Sequence, residues 1–339
     1  MITDARVLQP EFVPGEVQHR DAEVNHLSAA LRPLIDGDPT DPVLIDGPPG
    51  VGKTCIARFT VERLREASVA LNHQYVNCWE EYSRFKTLYQ ILDGVASTID
   101  IHRQSTPTDV LLDRLRDYDG PPYIVILDEV DQLEDKSLLY DLYRIPELTM
   151  VLIVNDEAQL FAGLDDRLNS RLNACTRVHF DTYPKSELTA ILHDRVRWGL
   201  NADYLQDGVL PTIAELAAGD ARTAIGILRQ AAHTVHTNSH DMLTDSIAEE
   251  VAPAARTEIR RNAVERLTHH QEVIYTIINE AGEITPGDLY EAYRDRVDNS
   301  KTKRTVRNYL AKLEQYNLIA ADGQTKGRRY RTLTDAALA

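Results

Sequence analysis

The chain is poor in cysteine, in lysine and in long apolar runs, and each shortage narrows what it is. Its three cysteines, Cys55, Cys78 and Cys175, form no CxxC pair. That spacing excludes a disulfide framework or a zinc cluster and points to a reducing, intracellular compartment. No stretch approaches the roughly 18 apolar residues of a membrane helix. Met1–Pro10 carries Asp4 and Arg6 where a signal peptide carries an apolar core. Secretion and membrane spanning are therefore not expected, and the expected location is the cytoplasm. Lysine is scarce: 8 Lys stand beside 29 Arg, against 31 Asp and 22 Glu, for a net charge of −16. A total that negative excludes a protein that coats nucleic acid or an anionic membrane with its whole surface. Abundant Asp with scarce Lys suggests a high-salt proteome, because short acids hold water and ions well. The 43% hydrophobic and 27% charged content is that of a folded globular chain. A length of 339 residues leaves room for two or three domains at about 150 residues each.

Apolar spacing sets the organisation. Short buried runs at Val43–Ile45, Tyr75–Cys78, Tyr123–Leu127 and Thr149–Asn155 alternate with helical patterns around residues 20–36, 56–64, 85–99, 108–116 and 138–143. Such alternation predicts an α/β region with a parallel sheet over residues 1–182. Beyond Tyr183 the strand signals stop. Helical patterns at 186–198, 212–218 and 221–236 predict a helical domain over 183–255, and a charged stretch at 249–261 reads as the lead-in to a third unit over 256–339. There, helices at 271–280, 285–297 and 301–316 precede two short strands at 318–321 and 328–332 around a Gly323…Gly327 turn. Three helices and a hairpin are the winged-helix pattern.

Gly47-Pro48-Pro49-Gly50-Val51-Gly52-Lys53-Thr54 fits GxxxxGK[ST] in full, between a strand and a helix. Glycines let backbone N–H groups curl around phosphates at a helix N-terminus. Lys53 would neutralise the β/γ-phosphates of ATP, and the Thr54 hydroxyl would ligate Mg²⁺. Cys55, next in line, reads as a small packing residue beside the nucleotide rather than a nucleophile. Ile124–Leu127 delivers Asp128 and Glu129 at a strand end. Asp128 is expected to hold Mg²⁺ and Glu129 to polarise the attacking water. Asn155, at the tip of the next strand, is placed to orient that water, although a polar strand tip by itself is most often a turn former.

Two arginines, Arg167 and Arg171, are candidates to reach a neighbouring subunit's γ-phosphate; the alternative is a surface pair with Asp165 or Asp166, worth little. Arg222, in Gly219-Asp220-Ala221-Arg222 at a helix start, is a candidate for the phosphates of the same chain; the alternative is a first-turn pair with Asp220.

With these motifs in order, the chain resembles the archaeal Orc1/Cdc6 replication initiators, an AAA+ ATPase family. The resemblance begins at Phe12–Glu23, continues through the phosphate loop, Leu127–Asp131 and Ile153–Asn155, and includes Leu164–Leu172 and Gly219–Ala231. It implies that Val13, Pro14, His19 and Arg20 line the adenine. It also implies a slow ATPase that recognises double-stranded origin DNA, helps load the MCM helicase and meets other initiator subunits on DNA at the nucleoid. Residue 171 is Arg where the family usually has Ser, which leaves the choice between Arg167 and Arg171 open.

The charge is not uniform. Residues 256–339 hold 15 bases and 12 acids, and the rest of the chain 22 bases and 41 acids, so −19 sits on the body. Within 299–331 nine bases face two acids. Lys301, Lys303, Arg304, Arg307 and Lys312 fall on one predicted helix, which would enter the major groove. Lys326, Arg328 and Arg329 fall at the hairpin, in reach of phosphates or the minor groove. Phosphate contacts weaken steeply with salt, so binding in a salty cell would also need base contacts or DNA deformation. The alternative function is an ATP-switched signalling or transcription regulator with a winged-helix output.

Overall fold

The structure, a computed structural model, describes residues 1–10, 12–17, 19–67, 70–103, 105–238, 240–323 and 327–333. Packing divides them into two units: residues 1–203 with 210–225, and residues 204–209 with those from Gly226 onward. The last change between the units falls between residues 225 and 226, inside a helix.

The first unit runs α1 (Asp21–Leu31), β1 (Val43–Asp46), α2 (Lys53–Ala67), β2 (Asn72–Asn77), α3 (Arg84–Asp93), α4 (Thr108–Arg116), β3 (Tyr123–Asp128), α5 (Ser137–Tyr143), β4 (Leu148–Ile153), α6 (Glu157–Ala162), α7 (Asp166–Leu172), β5 (Thr176–His179) and α8 (Lys185–Gly199). It ends with α9 (Val209–Leu216) and the first residues of α10 (Ala221–Thr237). The five strands are parallel in the order β2-β3-β4-β1-β5. Strands β3 and β4 are buried at every position. Their side chains alternate between two cores: Tyr123, Val125, Leu127, Met150 and Leu152 pack with Leu88, Ile91, Leu111 and Leu138 of α3–α5. Ile124, Ile126, Val151 and Ile153 pack with Leu27, Leu31, Ile56 and Val61 of α1 and α2. A sheet covered on both faces reads as uninterrupted apolar strands, which is why these two were legible in the sequence. The register pairs Asp46 with His179, Asn77 with Asp128, and Asp128 with Ile153, so the polar strand ends align along one edge. Such carboxyl edges are where open α/β sheets hold ligands.

The second unit continues α10 and adds α11 (Asp245–Glu265), α12 (His269–Ala281), β6 (Glu283–Ile284), α13 (Pro286–Arg296), α14 (Lys303–Gln315), β7 (Ile319–Asp322) and β8 (Arg329–Thr332). Threonines start its last three helices. Thr268 and Gln271 form a capping box, and Thr285 and Thr302 accept from Asp288 N and Thr305 N; such side chains satisfy N–H groups the helix leaves unpaired. β8 is the middle strand of an antiparallel sheet, between β6 and β7. Ile274, Ile278, Leu289, Tyr293, Val306, Leu310, Leu313 and Tyr330 form the core.

Several elements differ from expectation, among them α6 and α7, where no helix was expected, and three with weak apolar patterns. The charged stretch at 249–261 lies inside the 21-residue α11. Its buried stripe is Ile247, Ala248, Val251, Ala252 and Ala255, and alanines leave a weak apolar signal beside so many charges. β5 has one buried residue, Val178, and β6 has two residues in all; neither presents a strand-length pattern.

Ile126 is fully buried between β2 and β4. Ile126→Ala removes packing that the sheet cannot collapse to replace and is expected to cost about 2–5 kcal/mol. The check is a shift of the urea midpoint to lower concentration with the m-value unchanged.

Candidate nucleotide site and basic surface

The turn from β1 into α2 wraps around a buried ammonium. Lys53, 6% exposed, donates from Nζ to Gly47 O (2.6 Å), Pro48 O (2.7 Å) and Asn155 Oδ1 (2.8 Å). Two backbone carbonyls and one side-chain amide thus fix the position of the ammonium. Asn155 reaches it from just beyond β4. Beside this group, Thr54 Oγ1 donates to Asp128 Oδ2 at 2.6 Å, and the Tyr75 hydroxyl donates to the same oxygen at 3.0 Å. Burial and the adjacent Asp128 carboxylate push the Tyr75 phenol far up, so Tyr75 remains a neutral donor. Glu129 follows Asp128 with φ 54°, a left-handed conformation that non-glycine residues adopt at a cost and that recurs at functional sites.

The loop needs its glycines. Gly47 has φ 141°, and a Cβ there would lie 2.2 Å from Phe180 O; Gly50 has φ 78°, and its Cβ would lie 2.1 Å from Asp220 Oδ1. Asp220 caps α10 by accepting from Thr223 N (2.9 Å), and Ala221 N donates to Gly50 O (3.0 Å). The start of α10 is thus moored on the phosphate-loop turn, which puts Arg222, exposed in the first turn of α10, one residue from that contact. Arg222 forms no ion pair among the described residues.

Arg20 lies beneath the loop. It is 5% exposed, donates from Nη2 to Asp181 O (2.6 Å) and Val51 O (3.4 Å), pairs with Glu23, and stacks over Tyr183 (4.0 Å) and Phe180 (5.1 Å). Its head therefore braces the turn from below. Val13 and Pro14 are half-buried, and His19 is exposed with φ 59°. Pro49, Gly52 and Cys55 are also half-buried and Val51 is buried; burial pushes the Cys55 thiol up, which disfavours a thiolate. Arg167 and Arg171 are exposed on α7 and, with Tyr140, Tyr143, Ser170 and Ala174, line a surface cleft of about 500 Å³. Arg171 lies over the rings of Tyr143 (5.0 Å) and Tyr140 (5.7 Å), whereas no ring contact holds Arg167 among the described residues. Tyr75, Phe180, Tyr183 and the clasp of His179 on Asp46 (2.7 Å) also belong to this site. Only strand register brings these to the loop, and no local motif announces them.

In the second unit, Lys303, Arg304 and Arg307 are exposed on α14, within about 100° of arc at 3.6 residues per turn. Lys303 also lies over the Tyr290 ring (5.2 Å). Two expectations are corrected. Lys301 precedes the Thr302 cap and is not on the helix, and Tyr293 and Tyr290 hold its backbone. Lys312 is 1% exposed with Nζ 4.5 Å from the Tyr316 ring, because it falls on the core-facing side of α14. At the hairpin Arg328 pairs with Glu314 (2.7 Å), Arg329 with Glu283 (3.3 Å) and Arg331 with Asp322 (2.9 Å). Lys326 lies outside the described residues. No described helix is long and apolar enough to cross a membrane.

Comparison with known proteins matches residues 16–154 to the AAA ATPase domain and residues 189–254 to the Cdc6 AAA+ ATPase-type lid domain. The chain is 63% identical over 308 residues to ORC1-type DNA replication protein 1 of Halobacterium salinarum, covering 91% of this chain and all of that one. It is 49% identical over 337 residues to ORC1-type DNA replication protein 9 of the same organism, covering 99% and 95%. Among solved structures, the Aeropyrum pernix ORC1 protein in complex with DNA aligns with a TM-score of 0.74 at 24% identity, covering 98% of this chain and 94% of that one; this likeness is one of fold. The chain therefore has an AAA+ core with a parallel sheet, followed by a Cdc6-type lid domain.

The Asp46 carboxylate accepts a hydrogen bond from His179 and raises its pKa. A raised value in the folded state means that the clasp stabilises fully below the unfolded value of about 6.5 and that this is lost as pH climbs through the raised value. His179 is 59% exposed, so screening holds the effect below about 1 kcal/mol. Melting temperature should fall slightly across that window, and His179→Gln should abolish that component of the slope.

Proposed function

The chain belongs to the ORC1-type (Orc1/Cdc6) DNA replication proteins, and from that premise we propose that it is an ATP-dependent initiator that docks on double-stranded origin DNA through a C-terminal winged helix and helps load the MCM helicase. The observation that carries this reading is the union, in one chain, of a braced phosphate loop with an exposed basic helix. The loop fits a nucleotide by its own geometry. A Cβ at Gly47 or Gly50 would strike Phe180 O or Asp220 Oδ1, so the turn holds its shape only with glycine there, and Lys53 is buried within it. Lys53 would meet the β/γ-phosphates, and the backbone of residues 47–54 would supply N–H groups to them. Thr54 and Asp128, already 2.6 Å apart, form a hard oxygen pair suited to Mg²⁺, which keeps several waters beside one or two protein ligands. Bound there, the metal would neutralise charge on the phosphates.

The chain's own groups divide the remaining work. Tyr75 orients the Asp128 carboxylate. Glu129 would take a proton from the attacking water, and Asn155 would orient that water beside Lys53. Hydrolysis is slow in this reading, a switch rather than a motor. Arg222 would contact phosphates in cis. Arg167 or Arg171 would do so in trans when initiator subunits assemble. Val13, Pro14, His19, Arg20 and Cys55 would enclose the base and ribose.

The winged-helix reading rests on α12, α13 and α14 followed by the β7–β8 hairpin. Lys303, Arg304 and Arg307 would face the major groove, where exposed donors read bases and phosphates. Lys301, Arg328 and Arg329, with Lys326, would approach the backbone. A chain of net −16 can do this because its acids lie mostly elsewhere.

Two measurements test the proposal. Lys53→Ala should abolish binding of a fluorescent ATP analogue, while Glu129→Gln should keep binding and lower turnover at least about 100-fold, the scale of a lost general base. Unchanged turnover in Glu129→Gln would remove Glu129 from the chemistry. Lys303→Ala/Arg304→Ala/Arg307→Ala should weaken duplex binding and flatten its salt dependence by about 0.9 per lost phosphate contact. Wild-type duplex affinity in that variant would contradict the docking assignment.

A further inference from the structure

Every arginine of the described hairpin is already held by a carboxylate. Along β8, Arg329 and Arg331 point to the face opposite the buried Tyr330. In register, Arg331 stands beside Glu283 of β6 and Arg329 beside Asp322 of β7. The ion pairs run diagonally instead: Arg329 reaches Glu283 at 3.3 Å and Arg331 reaches Asp322 at 2.9 Å. Two cations and two anions thus alternate on one outer sheet face, with no net charge. Just before the strand, Arg328 donates to Glu314 of α14 at 2.7 Å and lies over Tyr330. All six side chains are partly open to water, at 29–59% exposure.

We infer that Glu283, Glu314 and Asp322 act as internal phosphate mimics that mask the hairpin arginines and so set the specificity of duplex binding. The inference rests on the DNA-binding reading above and adds a regulating element to it. A carboxylate and a phosphate oxygen compete for the same N–H donors with similar geometry. A non-cognate duplex offers the hairpin only phosphates, so each contact requires giving up an existing pair and releases few counterions. A cognate site that also engages α14 brings the backbone close enough for the exchange to proceed. The mask lowers affinity for random duplex more than for the correct site, since specificity is a difference between the two affinities. It also explains how the bases within 299–331 avoid non-specific coating. Glu283, which cancels one of them, lies outside that window in sequence.

The test uses the full chain and a random-sequence duplex, with affinity measured across a salt series. Glu283→Gln/Asp322→Asn keeps the side-chain shapes and is expected to bind roughly 3- to 10-fold tighter. Its salt slope should steepen by about 0.9 for each arginine released, hence about 1.8 in all. Adding Glu314→Gln should steepen it by about 0.9 more. Glu291→Gln, an exposed acid without an ion pair among the described residues, makes half the net-charge change of the double variant and should leave the slope unchanged. The mask is overturned if the double variant matches wild type in affinity and slope. It is equally overturned if Glu291→Gln steepens the slope as much, or if the double variant binds more weakly, which would make the carboxylates positioning groups for the arginines. The underlying reading fails separately, and the mask with it, if neither wild type nor any acid variant binds duplex.

Discussion

The buried ammonium of Lys53 is the constraint around which the first unit is organised. It begins α2, holds the carbonyls that follow β1, and reaches the amide at the tip of β4. The β1–α2 turn is therefore tied at one point to the distant end of β4. The neighbouring Thr54–Asp128–Tyr75 contacts bring in the ends of β3 and β2 in the same manner. A buried cation is costly unless hydrogen-bonded and paired, so the acceptors around Lys53 fix its place in the turn. The braces are laid out accordingly: Arg20 below the turn, Asp220 against Gly50, and His179 on the residue that precedes Gly47.

Charge in this molecule works by pairing rather than by totals. The segment 299–331 counts as strongly basic when summed along the chain. In space its arginines divide into two classes. Those on α14 face solvent, while those of the hairpin are engaged by Glu283, Glu314 and Asp322. The second class meets a polyanion only by giving up an existing pair. Lys312 leaves the count altogether, because helical phase turns it into the core beside Tyr316. For a chain suited to high salt, where long-range attraction is screened within a few ångströms, such short-range exchange matters more than net charge.

Much of the fold was legible because the signals were local. A strand, a glycine-rich turn and a helix appear in sequence as they do in space. The strands buried on both faces were visible as apolar runs, and α4 spans the predicted residues 108–116. Three of the misses share one cause. α11 hides an alanine stripe among charges, β5 buries a single side chain, and β6 is two residues long. None carries enough apolar periodicity to announce itself, and each forms because neighbouring elements complete it.

The division of labour follows from range. The sequence by itself determined the phosphate-loop chemistry, the acidic strand end, the order of the motifs and the presence of a basic C-terminal helix, since each depends on residues adjacent in the chain. Tertiary structure alone decided which side chains meet. It placed Tyr75 on Asp128, Arg20 under Val51, Asp220 against Gly50, and a carboxylate on every described hairpin arginine. Strand register and helix phase set those encounters, and both are fixed by burial of the whole core rather than by any local stretch.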